Sequence, residues 1–162
     1  MLGTAAAVVL LATSVFAQTP NFAGKWTPDA EKNAAAMAAM GGGGGGGRMG
    51  GGGGGRGGGM GGGDMTITQD AKQLVLTRTT PNGEQKTTYN LDGSESKNMA
   101  MGRGGQTEQV SKAAFEAGKL VIKTQTANGE TVASWYMEGD HLVNERTAGQ
   151  GNVIKTYYKK AS

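Results

Sequence analysis

The sequence predicts an all-β protein: an up-and-down antiparallel meander closed or nearly closed into a barrel, with one short helix after the first strand and a disordered Gly-rich loop. Three observations carry that expectation. From residue 65 onward, apolar and polar residues alternate in short runs, the period of a half-buried strand. Turn signals separate the runs. Asn82-Gly83 and Asn128-Gly129 are two-residue hairpin dipeptides whose members tolerate positive φ, and Asp92-Gly93, Ala117-Gly118 and Gly139-Asp140 punctuate in the same way. The chain also repeats: residues 74–93 align without a gap on residues 120–139, with seven of twenty positions identical. Residues 142–158 continue the series at a spacing of 22, which aligns Tyr157 with Trp135. A meander of that length curls and closes, because closure removes exposed strand edges.

The elements follow in order. Residues 1–17 of the 162 are apolar and uncharged and end in small residues at Val15 and Ala17. They are expected to form a signal peptide, cleaved to leave Gln18 first. The run is too short for a comfortable membrane span, and its lack of a leading Lys or Arg is expected of a reading frame that starts upstream. The protein is therefore expected to be exported, periplasmic or extracellular, with no membrane span after signal cleavage. Residues 18–162 read as a single domain interrupted by the loop over 41–64.

Within that domain a first strand is expected over 22–27. Pro28 breaks it, and Asp29 is placed to cap an alanine-rich helix over 30–40. Residues 41–63 hold nineteen glycines broken by Arg48, Met49, Arg56 and Met60. A chain of that composition is a flexible tether with a root-mean-square span of roughly 25 Å. Further strands are expected over 65–69, 73–80, 84–91, 107–116, 119–127, 130–138, 141–147 and 153–159, about nine in all with the first. Residues 99–105 read as a second, shorter glycine-rich loop.

Composition excludes several functions. The net charge of +3 is mild and its lysines are dispersed, so no polyanionic partner is required. Two arginines in the glycine tract, with no aromatic between them, do not make a nucleic-acid module, and no nucleic acid is expected as a partner. There is no cysteine, hence no disulfide and no thiolate metal site. His141 is the only histidine and reads as a surface hairpin residue without the partners of a zinc site. Met37 and Met40 share a helix face, and soft thioethers suit Cu(I), but gap-filling is the expectation for them. No catalytic motif occurs, so no enzyme, metal or cofactor is expected.

Placing the aliphatic and aromatic strand positions on one face selects Met65, Ile67, Leu74, Leu76, Tyr89, Leu91, Leu120, Ile122, Trp135 and Met137 as inward. The opposite face is rich in Thr, Lys, Gln and Glu, as a solvated outer surface should be.

Asn21-Phe22-Ala23-Gly24-Lys25-Trp26 opens the domain ahead of the meander. It resembles the Gly-x-Trp opening strand of lipocalins and related calycins, and in particular small secreted bacterial lipocalin-like proteins. The resemblance implies that Trp26 seals the closed end of the barrel and that a basic residue of the last strand packs over it. Lys155, Lys159 and Lys160 stand there, with Arg146 one strand earlier. It also implies a non-enzymatic protein holding a small apolar ligand among Trp26, Ile67, Leu74, Leu76, Tyr89, Leu91, Leu120, Ile122, Trp135 and Met137, with the helix as a lid, a plug or a solvent-facing element. The alternative is a structural or interaction protein of the cell envelope, with a filled barrel and flexible Gly-rich loops. The two differ in whether the interior holds an empty apolar cavity.

Overall fold

The computed structural model describes residues 19–39, 63–80, 83–102, 105–126, 129–147 and 153–161. The expected signal peptide over residues 1–17, residues 41–62 of the glycine tract, and the residues Asn82 and Asn128 of the expected turns lie outside the described residues. Ten strands and one helix succeed one another: β1 (Gly24–Pro28), α1 (Ala30–Ala39), β2 (Met65–Gln69), β3 (Gln73–Thr80), β4 (Gly83–Asn90), β5 (Asp92–Gly102), β6 (Gly105–Glu116), β7 (Lys119–Thr126), β8 (Gly129–Glu138), β9 (His141–Thr147) and β10 (Val153–Lys160). They form one antiparallel sheet in the order β4-β3-β2-β1-β10-β9-β8-β7-β6-β5. The two end strands, β4 and β5, are neighbours in sequence and meet, so the sheet is a nearly closed up-and-down barrel.

The repeat is a repeat of register. In the β3–β4 hairpin Leu74 faces Tyr89, and in the β7–β8 hairpin Leu120 faces Trp135. Both hairpins turn through a glycine at φ +109°, Gly83 and Gly129. In both a threonine hydroxyl donates across the turn at 2.7 Å, Thr80 to the Gly83 carbonyl and Thr126 to the Gly129 carbonyl. The third copy is offset. Leu142 pairs with Tyr158, not Tyr157, because its hairpin is one residue longer. Tyr158 therefore faces inward and stacks on Trp135 at 6.1 Å between centroids, while Tyr157 falls on the outer face.

The strand β5 is a second departure from expectation. Its Ser, Glu, Lys and Asn residues carry no apolar alternation, yet it pairs with β6 from Asp92↔Ala114 to Gly102↔Gly105. Residues 99–102 and 105 of the expected loop thus belong to this hairpin, while 103 and 104 lie outside the described residues.

The base of the barrel is built on β1. Trp26 is 1% exposed, and its indole Nε1 donates to the Phe22 carbonyl at 2.8 Å. Phe22 packs on Phe115 at 6.1 Å, and its N–H donates to Gln69 Oε1 at 2.9 Å. The cation expected over the tryptophan comes from the last strand: Lys160 Nζ stands 5.6 Å from the Trp26 ring.

The helix α1 is a clasp on the outer wall and not a lid. No residue of it is buried. Asp29 caps it, accepting the Lys32 N–H at 3.0 Å. The Asn33 amide donates to the Tyr157 carbonyl at 3.0 Å and accepts the Tyr157 N–H at 2.7 Å, as a paired strand residue would. His141 is drawn into this clasp and is not a solvent-facing hairpin residue. Its side chain is 12% exposed, with Nε2 at 3.1 Å from Asp29 Oδ2 and Nδ1 at 2.6 Å from Asp140 Oδ1. Lys32 Nζ lies 3.3 Å from Nδ1.

Gly24 adopts φ +142° where the chain enters β1 beside Trp26 and Lys160. A Cβ there meets only ordinary contacts, the shortest 3.7 Å, so the cost of substitution is backbone strain. Gly24→Ala is expected to lower unfolding free energy by about 1–3 kcal/mol in urea denaturation; an unchanged midpoint would show that β1 does not depend on this conformation.

Candidate functional site

The interior has two layers, because inward positions change character along β3, β7 and β9. At the base end they are apolar. Seven residues of the expected inward face, Ile67, Leu74, Leu76, Tyr89, Leu120, Ile122 and Trp135, surround a gap of only about 10 Å³. That is room for roughly one water-sized group. Trp26 and Met65 are buried in the same core. Leu91 is not part of the gap's lining. It sits at the β4–β5 turn and lines a separate depression of about 690 Å³ at the base, with Asn21, Gln69, Asp70, Asp92 and Phe115 among its walls. Met137 is 38% exposed: it keeps the parity of Trp135 but lies one residue from the end of β8, past the wall it was expected to face.

Toward the other end the same register turns polar. Arg78 follows Leu74 and Leu76 on β3, Thr124 follows Leu120 and Ile122 on β7, and Asn144 and Arg146 follow Leu142 on β9. Ser96, Ser111 and Thr156 are buried, and the Ser111 and Thr124 hydroxyls bond at 2.9 Å. Every Asp and Glu of the strands (Glu84, Asp92, Glu95, Glu108, Glu116, Glu130, Glu138 and Glu145) falls on the outward register. Two guanidinium groups thus enter a barrel whose described inward positions carry no carboxylate.

Arg78 Nε is buried and has no hydrogen-bond partner among the described residues. A buried donor left in that condition is costly and points to something that would accept from it. Two phenols share the region. Burial pushes the Tyr89 hydroxyl above its usual range, opposed by the Arg78 charge. Burial likewise raises Tyr158, opposed by the charges of Arg78 and then Arg146. Both hydroxyls remain protonated donors at neutral pH, Tyr89 near the Arg78 charge and Tyr158 near those of Arg78 and Arg146. The arrangement sets hydrogen-bond donors and positive charge above an apolar floor.

Sequence reasoning passed over Arg78 and Tyr158. The signal for Arg78 was present, since residues 74, 76 and 78 share one parity, but a charged residue on an apolar alternation reads as the point where the strand leaves the core. Tyr158 was hidden by the one-residue offset of the third hairpin. Among the described residues no group of three or more His, Asp or Glu side chains is placed to hold a metal ion.

Ten antiparallel strands in next-neighbour order, sealed at one end by a tryptophan under a lysine, define a lipocalin-like barrel of the calycin type. No protein-family model and no curated protein matches the chain. Among solved structures it is similar to a mutant of the fluorescent protein UnaG, with a TM-score of 0.56 and 17% identity over 87% of this chain and 96% of that one. A secretory abundant heat soluble protein from Ramazzottius varieornatus is similar at a TM-score of 0.54 and 17% identity, over 86% of this chain and 95% of that one. Zebrafish ileal bile acid-binding protein, complexed with cholic acid, is similar at 0.52 and 19%, over 86% of this chain and 98% of that one. At these identities the likeness establishes the fold.

The raised phenols give a pH prediction. A group whose folded pKa exceeds its unfolded value, here 10.0, contributes stability that is fully present below pH 10.0 and lost as pH rises through the folded value. Unfolding free energy is expected to fall above pH 10.0, and absorbance titration should show phenolate that forms only as the protein unfolds. Complete titration of all tyrosines with the fold intact would contradict the burial of Tyr89 and Tyr158.

Proposed function

We propose that this protein is a non-enzymatic, exported binder of a small amphipathic molecule with an anionic head group, taken up inside the barrel. The observation that carries the reading is the buried, unpartnered Arg78 Nε in an interior with two arginines and no carboxylate among its described inward positions. The head group would accept from Arg78 and from the Tyr158 hydroxyl, with Arg146 adding charge. The apolar part would lie against Ile67, Leu74, Leu76, Tyr89, Leu120, Ile122 and Trp135, over Trp26. Leu91 and Met137 are left out of that set by their positions. A gap of about 10 Å³ means that the ligand displaces side chains on binding. Export, to the periplasm or outside the cell, rests on the signal-peptide pattern of residues 1–17. The bile acid-binding neighbour, with its bound cholic acid, is consistent with an amphipathic anion inside this fold.

The small gap also favours a second reading, a filled barrel acting as a structural or interaction protein of the envelope. One titration separates them. The anionic dye 1-anilinonaphthalene-8-sulfonate is expected to bind saturably, and Arg78→Met to weaken it at least about tenfold, the scale of a lost charged hydrogen bond. The uncharged N-phenyl-1-naphthylamine should change less than about threefold. Equal weakening of both dyes would overturn the anion reading, and no saturable binding of either would favour the filled barrel.

A further inference from the structure

The barrel wall is held by nine backbone ladders, and the junction between β4 and β5 is the one place among the described strands where the sheet order places none. That junction is closed by side chains. Asn98 Oδ1 accepts the Thr88 N–H at 2.8 Å, and Asn98 Nδ2 donates to the Thr88 carbonyl at 2.8 Å, so one amide side chain imitates a strand partner. Ser96 Oγ accepts the Asn90 N–H at 2.7 Å, and Asn90 Nδ2 donates to the Glu95 carbonyl at 3.0 Å. The register of β5 slips between Asp92 and Glu95, which carries its backbone out of step with β4. Between Thr88 and Asn90 stands Tyr89, a wall of the interior gap.

We propose that the β4–β5 seam is the gate of the interior, with Asn98 and Ser96 as its latch. This rests on the reading that a ligand binds inside. Because the gap admits no more than about one water, something must move. Parting any other junction breaks a backbone ladder, whereas parting this one breaks a few side-chain bonds. Releasing Thr88 and Asn90 frees the segment that carries Tyr89, which swings out and opens the apolar floor beside Arg78.

The chain has no cysteine, so single thiols report opening cleanly and without any ligand. Tyr89→Cys, beside the seam, is expected to react with iodoacetamide faster than Leu142→Cys, which is buried on β9 across the barrel from the seam and is not a wall of the gap. Adding Asn98→Ala should speed the first about tenfold, the scale of lost hydrogen bonds, and leave the second unchanged. Leu74→Cys replaces Tyr89→Cys if the latter does not fold. Stopped-flow mixing with 1-anilinonaphthalene-8-sulfonate should show Asn98→Ala raising association and dissociation by the same factor, with Kd unchanged within about threefold. Equal labelling at both cysteines, or no effect of Asn98→Ala, overturns the gate. Faster labelling with unchanged dye kinetics also overturns it as the route of uptake, while the measured Kd leaves interior binding standing. A dye that fails to bind the unaltered protein removes the interior reading, and the gate falls with it.

Discussion

Strand alternation inside a nearly closed meander is the constraint on which this structure depends. Once β1 and β10 pair through Trp26↔Lys160, every strand has a neighbour on both sides except at the β4–β5 seam, and each second residue must point inward. The base is fixed first in space. Trp26, its bond to the Phe22 carbonyl and the lysine above it hold the opening strand against both the second and the last strands. Parity then decides the rest. Leu74 and Leu76 fill the floor, and Arg78 has no choice but to follow them into the barrel.

Polarity along that register gives the interior its chemistry. In water a guanidinium gains nothing by entering a barrel, and burying one without an acceptor is costly. Arg78 enters with its Nε buried and unpartnered among the described residues, Arg146 shares the inward register, and strand carboxylates are confined to the outside, where they pair with lysines such as Lys97–Glu108 and Lys112–Glu95 at 3.4 and 3.5 Å. Such exposed pairs contribute little to stability. The inner charges are different in kind, since they sit beside phenols that burial keeps protonated. Asn residues serve the same architecture at its two irregular edges. Asn98 closes the seam against Thr88, and Asn33 fixes the helix to Tyr157 where β1 has turned away from β10.

Much of the fold was legible because the chain states it locally. The Asn-Gly-Glu triplets signalled two hairpins in the sequence, and the matched Leu74–Tyr89 and Leu120–Trp135 pairs show that sequence repetition was register repetition. The expected tryptophan seal and its last-strand cation were legible from the opening motif. What failed to show has physical causes. β5 is polar on both faces because it borders the seam, so no alternation marks it, and pairing with β6 supplies its order. Met137 keeps perfect parity but runs out of wall to face. His141 looked like a hairpin residue because its partners, Asp29 and Lys32, are more than a hundred positions away in sequence. Arg78 was visible as parity and invisible as hydrophobicity, which is why the apolar half of the interior was readable and the polar half was not.

The most direct test is the guanidinium Nε–H of Arg78 itself. In a ¹⁵N-edited nuclear magnetic resonance spectrum, its Nε–Hε signal can be assigned by its loss in Arg78→Met. Titration with 1-anilinonaphthalene-8-sulfonate is predicted to shift that signal saturably, with the same midpoint as the dye's fluorescence. A fluorescence transition with the Arg78 signal unmoved would place the dye outside the barrel and contradict the account.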